Sequence, residues 1–245
     1  MKTTKFLFTA FFLMGLIILP SCLDDDSDDM NLRYPNALVT VKESADETLF
    51  FQLDDQTTLL PVNLNSHPFG GKEVRALVNY EEVDESSGSF DKAVHVNWID
   101  SIRTKAMAPN LGDQNDEVYG TDPVEIVPDW VTIAEDGYLT LRFRTIWSNM
   151  GITHFVNLIP TNNPQNPYEV EFRHDAKGDV SGRVGDGLVA FKLDNLPDTE
   201  GETVKLKLIY KSFNSTKSIE FDYKTRAATA ATSAIAAERS VIPLE

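Results

Sequence analysis

The sequence predicts an all-β protein in two parts, a small barrel followed by an antiparallel β-sandwich. Three observations carry that expectation. Apolar residues alternate with polar ones in short runs through most of residues 35–224, the period of half-buried strands. Clusters of Gly, Pro, Asn and Asp separate the runs as turns. No stretch of core-forming length repeats its apolar residues with the helical period.

The first 34 residues stand apart. Met1–Lys5 carries two positive charges and Phe6–Leu19 is almost wholly apolar, the layout of a signal peptide over residues 1–21. The apolar run falls short of the roughly 20 residues that a membrane span needs. Leu19-Pro20-Ser21-Cys22 resembles a bacterial lipobox, with Pro20 its one unusual position. That resemblance implies cleavage before Cys22, diacylglycerol on its sulfur and a membrane as partner. The competing readings are an ordinary secretory signal with an incidental cysteine, or an uncleaved anchor. Cys22 is the only cysteine, so no intramolecular disulfide forms. Residues 22–34 read as an acidic tether, because Asp24, Asp25, Asp26, Asp28 and Asp29 repel one another and resist collapse. Directly after a lipidated cysteine, the run also resembles the export signal of Bacteroidetes surface lipoproteins. It then implies an outer-membrane protein facing the cell exterior.

Residues 35–115 form the expected barrel. Val39-Val41, Leu49-Phe51-Leu53, Val74-Ala76-Val78-Tyr80 and Val94-Val96-Trp98 each alternate with polar neighbours, which puts Trp98 on the inward phase. His67-Pro68-Phe69-Gly70-Gly71 and Glu85-Ser86-Ser87-Gly88 read as loops. Short strands at this density suit a small barrel. Residues 106–123 are rich in Pro, Gly, Asn and Asp and read as a domain boundary. Residues 124–224 then form the sandwich. Leu139-Leu141-Phe143 faces one way, with Thr140, Arg142 and Arg144 the other. Val170-Phe172, Val189-Phe191-Leu193, Val204-Leu206-Leu208-Tyr210 and Ile219-Phe221-Tyr223 repeat the pattern. Residues 225–245 are an Ala- and Thr-rich tail.

Charge narrows the function. The chain has 38 acids against 22 bases, net −16. Loss of residues 1–21 removes Lys2 and Lys5 and no acid, leaving 20 bases against 38 acids, net −18. Such a surface repels phosphate backbones, so no nucleic-acid partner is expected.

Two segments carry a likeness to a known family. Val94-His95-Val96-Asn97-Trp98-Ile99-Asp100-Ser101-Ile102-Arg103-Thr104-Lys105 closes the first part. Asp136-Gly137-Tyr138-Leu139-Thr140-Leu141-Arg142-Phe143 leads into His154-Phe155-Val156-Asn157-Leu158-Ile159 and Phe172-Arg173-His174-Asp175-Ala176-Lys177-Gly178-Asp179. With the lipoprotein start, these resemble the NigD-like proteins of Bacteroidetes over most of residues 35–224. The resemblance implies an OB-like first domain and a β-sandwich second domain. It also implies an immunity role toward a neighbouring bacteriocin, and it brings no catalytic residues.

Candidate sites are few. His154, His174, Asp175 and Asp179 would offer two imidazoles and a carboxylate to an ion if the strands bearing the histidines were neighbours. The plainer reading makes Asp175–Asp179 a hairpin turn with Gly178 at positive φ, and leaves no metal. There is no Gly-x-Ser-x-Gly elbow, and nothing in sequence brings a Ser-His-Asp set together. Gly182-Arg183-Val184-Gly185-Asp186-Gly187 echoes a dinucleotide fingerprint, but no βαβ unit follows it, so no cofactor is expected. Trp98, Trp130, Trp147, Tyr80, Tyr119 and Tyr138 could stack on sugars, although such aromatics more often plug a core. Asp100-Ser101-Ile102 matches a short O-glycosylation pattern at Ser101. The sum is a non-enzymatic envelope lipoprotein acting by binding, either as a protein-interaction factor or as a glycan- or ligand-binding module of nutrient capture.

Overall fold

A computed structural model of the chain describes residues 32–148 and 151–226. The signal segment, Cys22, the acidic run Asp24–Asp29 and the tail beyond Arg226 lie outside the described residues. The prediction of an all-β protein holds. Strands β1 (Ala37–Glu43), β2 (Leu49–Gln52), β3 (Thr58–Pro61), β4 (Val74–Glu82) and β5 (Lys92–Ser101) close a barrel in the order β1-β2-β3-β5-β4. Closure removes the unpaired edges that a five-stranded open sheet would expose. Val39, Val41, Phe51, Leu59, Ala76, Val78 and Val94 fill its interior, fully shielded from solvent.

The chain continues through β6 (Arg103–Ala106), a short helix α1 (Asn115–Tyr119), β7 (Glu125–Ile126), β8 (Ile133–Glu135) and β9 (Tyr138–Trp147). It ends in β10 (Phe155–Pro160), β11 (Glu169–Asp175), β12 (Arg183–Lys192), β13 (Val204–Lys211) and β14 (Thr216–Tyr223). One sheet has the order β10-β11-β13-β14 and the other β6-β12-β9-β7, with β8 pairing β9. Most pairings are antiparallel, but β11–β13 and β6–β12 run parallel. Leu139, Leu141, Leu158, Val170, Phe191, Leu206 and Leu208 form the core between the sheets. Gly187 belongs to this packing, since a Cβ there would lie 2.5 Å from the Phe143 ring.

Strand β6, inside the range expected for the barrel, pairs with β12 of the sandwich. The Pro- and Gly-rich stretch after it also packs on the sandwich. Ala108 N–H donates to Leu158 O at 2.8 Å and Asn110 Nδ2 to Pro160 O at 2.8 Å, covering the outer edge of β10.

Two local expectations are corrected. Trp98 points outward, half-buried, and its Nε1 donates to the Leu32 carbonyl at 2.6 Å. The cause is a bulge: Tyr80 pairs with Val96 but Asn79 pairs with Trp98, so Asn97 is skipped and the phase of β5 inverts. Ile99 takes the inward place instead. The Asp175–Asp179 turn forms, with Lys177 at φ 52°, Gly178 at φ 83° and Asp179 N–H donating to Ala176 O at 3.0 Å. It is not a hairpin, because β12 beyond it lies in the other sheet.

The two domains share a third, smaller core. Leu38, Leu77 and Ile102 from the barrel meet Val131, Tyr138 and Ala190 from the sandwich. Strand β1 is therefore buried on both faces, with Val39 and Val41 in the barrel and Leu38, Thr40 and Lys42 against the sandwich.

Candidate functional site

The structure brings three of the four sequence-nominated residues together at one end of the sandwich. Strands β10 and β11 are neighbours, with Val156 opposite His174. His154, two residues before Val156, shares that face, and its Nδ1 lies 3.0 Å from His174 Nε2. His154 Nε2 lies 3.4 Å from Asp179 Oδ2. Trp147 stands edge-on to His154, and Phe143 lies beside His174. Asp175 is on the opposite face, where its carboxylate binds the Lys177 main chain and ammonium group.

His174 is buried, and its Nδ1 makes no well-aligned hydrogen bond, with Asp122 as a polar neighbour. Burial pushes its pKa below the ordinary imidazole range. His154 pushes the same way, while Asp122 and Asp175 oppose. The cluster does not aim at one point, because His154 turns one ring nitrogen to His174 and the other to Asp179. Among the described residues no group of three or more His, Cys, Asp or Glu side chains is placed to hold a metal. Ser148 is close by, but its Oγ donates to Asp179 Oδ1 at 2.5 Å and its N–H to the same carboxylate at 3.0 Å. A nucleophilic serine donates to an imidazole that takes its proton; this one is bound to the acid instead.

Apart from Trp147, the other nominated residues do not assemble with it. Ser101 is exposed at the end of β5. Tyr138 is buried between the domains, and Tyr119 is buried with its hydroxyl on Pro109 O at 2.9 Å. Trp130 is half exposed, and Tyr80 packs on the barrel core. Gly185, from the glycine-rich run, sits where a Cβ would lie 2.6 Å from the Trp147 indole nitrogen, so its smallness serves packing.

Family models match both halves of the chain. The NigD-like N-terminal OB domain matches residues 38–102 and the NigD-like C-terminal beta sandwich domain matches residues 106–223. The chain belongs to the NigD-like family. Among solved structures it is similar to a protein described as toxin related from Parabacteroides distasonis. The two are 34% identical with a TM-score of 0.66, over 84% of this chain and 98% of that one. A protein of unknown function from Bacteroides vulgatus shares the fold at 22% identity and TM-score 0.63, over 80% of this chain and 92% of that one. A NigD-like immunity protein from Bacteroides caccae does so at 22% and 0.53, over 75% and 90%. No curated protein matches the chain.

The largest buried polar assembly of this NigD-like chain lies at the domain junction, and sequence alternation gave no sign of it. Arg75 on β4 is fully buried. Its guanidinium donates to Thr40 Oγ1 at 3.0 Å, Thr140 Oγ1 at 3.4 Å and Glu135 Oε2 at 3.1 Å. Lys42 Nζ reaches Asp136 Oδ1 at 2.8 Å with both side chains over nine-tenths buried. Burial lowers the Lys42 pKa against the pull of Asp136. Glu73 accepts from Tyr138 Oη and from Arg226 Nη1, and these bonds overcome burial to hold its pKa below the usual carboxylate range. Burial raises Glu135 despite Arg75. The one readable signal was Asp136-Gly137. Asp136 at φ 49° and Gly137 at φ 74° make the tight β8–β9 turn that pushes Asp136 into the barrel wall.

Proposed function

We propose that this chain is a non-enzymatic envelope lipoprotein that acts by binding a protein partner, in an immunity-like role. The observation that carries the reading is correspondence along both domains with NigD-like proteins, including the 34% identical toxin-related protein covered over 98% of its length. The word immunity attached to the Bacteroides caccae relative points the same way. In this reading Cys22 carries the lipid that holds the chain to the outer membrane. Asp24, Asp25, Asp26, Asp28 and Asp29 direct it to the outer face, and Ser101 is open to glycosylation.

The test is a deletion strain challenged with the secreted toxins of a co-resident strain. Killing should rise on deletion, return to normal with the wild-type gene, and stay high with Cys22→Ala. Unchanged killing on deletion refutes the immunity role. Protease applied to intact cells then reads the address: digestion of the native chain, with protection once the five aspartates are neutralised, is the expected result.

A further inference from the structure

We infer that the groove between the barrel and the sandwich is a binding site for a neutral, hydroxyl-rich ligand, a short oligosaccharide. The groove has a volume of about 850 Å³, within the range of roughly 300–1,000 Å³ typical of small-molecule sites, which favour domain interfaces. Every lining residue is polar or glycine. A lipid or other apolar ligand would therefore meet no apolar side chain.

The floor argues against a charged ligand. Asp136 lines it with Lys42 bound to Oδ1 at 2.8 Å and Arg226 at 3.8 Å from Oδ2, while Arg226 is also bound to Glu73 at 2.7 Å. Charge there is already matched. Oδ2 of Asp136 has no hydrogen-bond partner among the described residues but is itself shielded from solvent, so the floor presents no open anion to a ligand. Two cations already flank this carboxylate, so a cationic ligand would meet repulsion at the floor and find no open carboxylate there.

The rim argues the same way. Among the described residues the Gln56 carboxamide on the barrel side has no partner, and on the sandwich side the Glu200, Thr203 and Lys224 side chains have none. An amide and a hydroxyl that both give and accept, a carboxylate that accepts and an ammonium that gives are the complement of vicinal hydroxyls. A phosphate-bearing ligand would face Glu200 together with Asp55 and Asp198, against the single unengaged ammonium of Lys224. The aromatic residues nominated from sequence are absent from the groove walls, so recognition here rests on hydrogen bonds.

This site is separate from the protein-partner reading, and failure of one leaves the other standing. The full-length chain, purified in detergent, is titrated calorimetrically with maltotetraose, mannotetraose, xylotetraose and chitotetraose, then with spermidine and pyrophosphate. Saturable binding of at least one neutral tetrasaccharide is expected. The double variant Gln56→Ala/Glu200→Ala should weaken it about tenfold, while His154→Ala, at the far cluster, leaves it unchanged. Both groove side chains are exposed, and an unshifted melting temperature shows that the double variant is folded. The inference is overturned if no tetrasaccharide binds at millimolar concentration, if binding survives the double variant, or if spermidine or pyrophosphate is the ligand that the double variant loses.

Discussion

Two of the buried polar clusters are built on opposite principles. At the domain junction, Arg75, Lys42, Glu73, Glu135, Asp136 and Arg226 meet charge with countercharge, and Arg75 engages all three of its guanidinium nitrogens. At the far end of the sandwich, two imidazoles face each other 3.0 Å apart and one ring nitrogen is left without a well-aligned partner. Charged groups taken from water are tolerated only where geometry closes the circuit, so the junction is a fastener that fixes how barrel and sandwich sit. In the far cluster burial favours the neutral form of His174, which makes that ring sensitive to protons.

The contrast breaks most visibly at Arg75. Replacing Arg75 with Met removes the donor to Thr40, Thr140 and Glu135 at once and leaves two buried hydroxyls and a partly buried carboxylate without it. Such losses cost about 3–5 kcal/mol. Urea unfolding should show this loss, and a cost below 1 kcal/mol, roughly that of a surface pair, would mean the junction does not fasten the domains. The Lys42–Asp136 pair is the next test. A double-mutant cycle with Lys42→Met and Asp136→Ala should give a coupling of about 0.5–3 kcal/mol. Additivity would mean that Arg226, at 3.8 Å, already serves Asp136 as well as Lys42 does.

Gly187→Ala probes the sandwich core beside the far cluster, since the Phe143 ring it crowds also lies next to His174, and leaves the junction untouched. Its Cβ would lie 2.5 Å from the Phe143 ring, and overpacking of this kind costs about 1–3 kcal/mol. Chemical shifts of barrel residues such as Val39 and Phe51 should stay in place. If they move, the shared core transmits strain between the domains.

Much of the fold was legible because alternation reports which face a side chain takes. Val39, Val41, Ala76, Val78, Leu139 and Leu141 all point where the period places them. Alternation says nothing about what covers the other face. Thr40, Lys42 and Arg75 look like solvent-facing residues in sequence, and the second domain buries them. Phase also fails where a bulge adds a residue, as Asn97 does ahead of Trp98. The histidine cluster was half legible: the residues could be named, but their meeting depended on β10 lying beside β11. Its divergent ring nitrogens depend on side-chain rotation, which no spacing encodes.

The smallest effect expected is a pH dependence, read at His174 in the far cluster and at Glu135 in the junction. Burial lowers the His174 pKa below its ordinary 6.5, so the folded state declines a proton that the unfolded chain accepts. Its contribution to stability is complete above pH 6.5 and is lost as the pH falls from there toward the folded value. At the junction Glu135 works in the opposite sense. Its raised pKa lets the folded state keep a proton that the unfolded chain releases above pH 4.5, so its contribution declines as pH rises through that range. The two act with opposite sign, and a variant is needed to separate them. His174→Gln should flatten the loss of stability below pH 6.5 while leaving the junction intact. Superimposable wild-type and His174→Gln curves would mean that the far cluster is as indifferent to protons as a closed ion pair, and the distinction between the two clusters would fall.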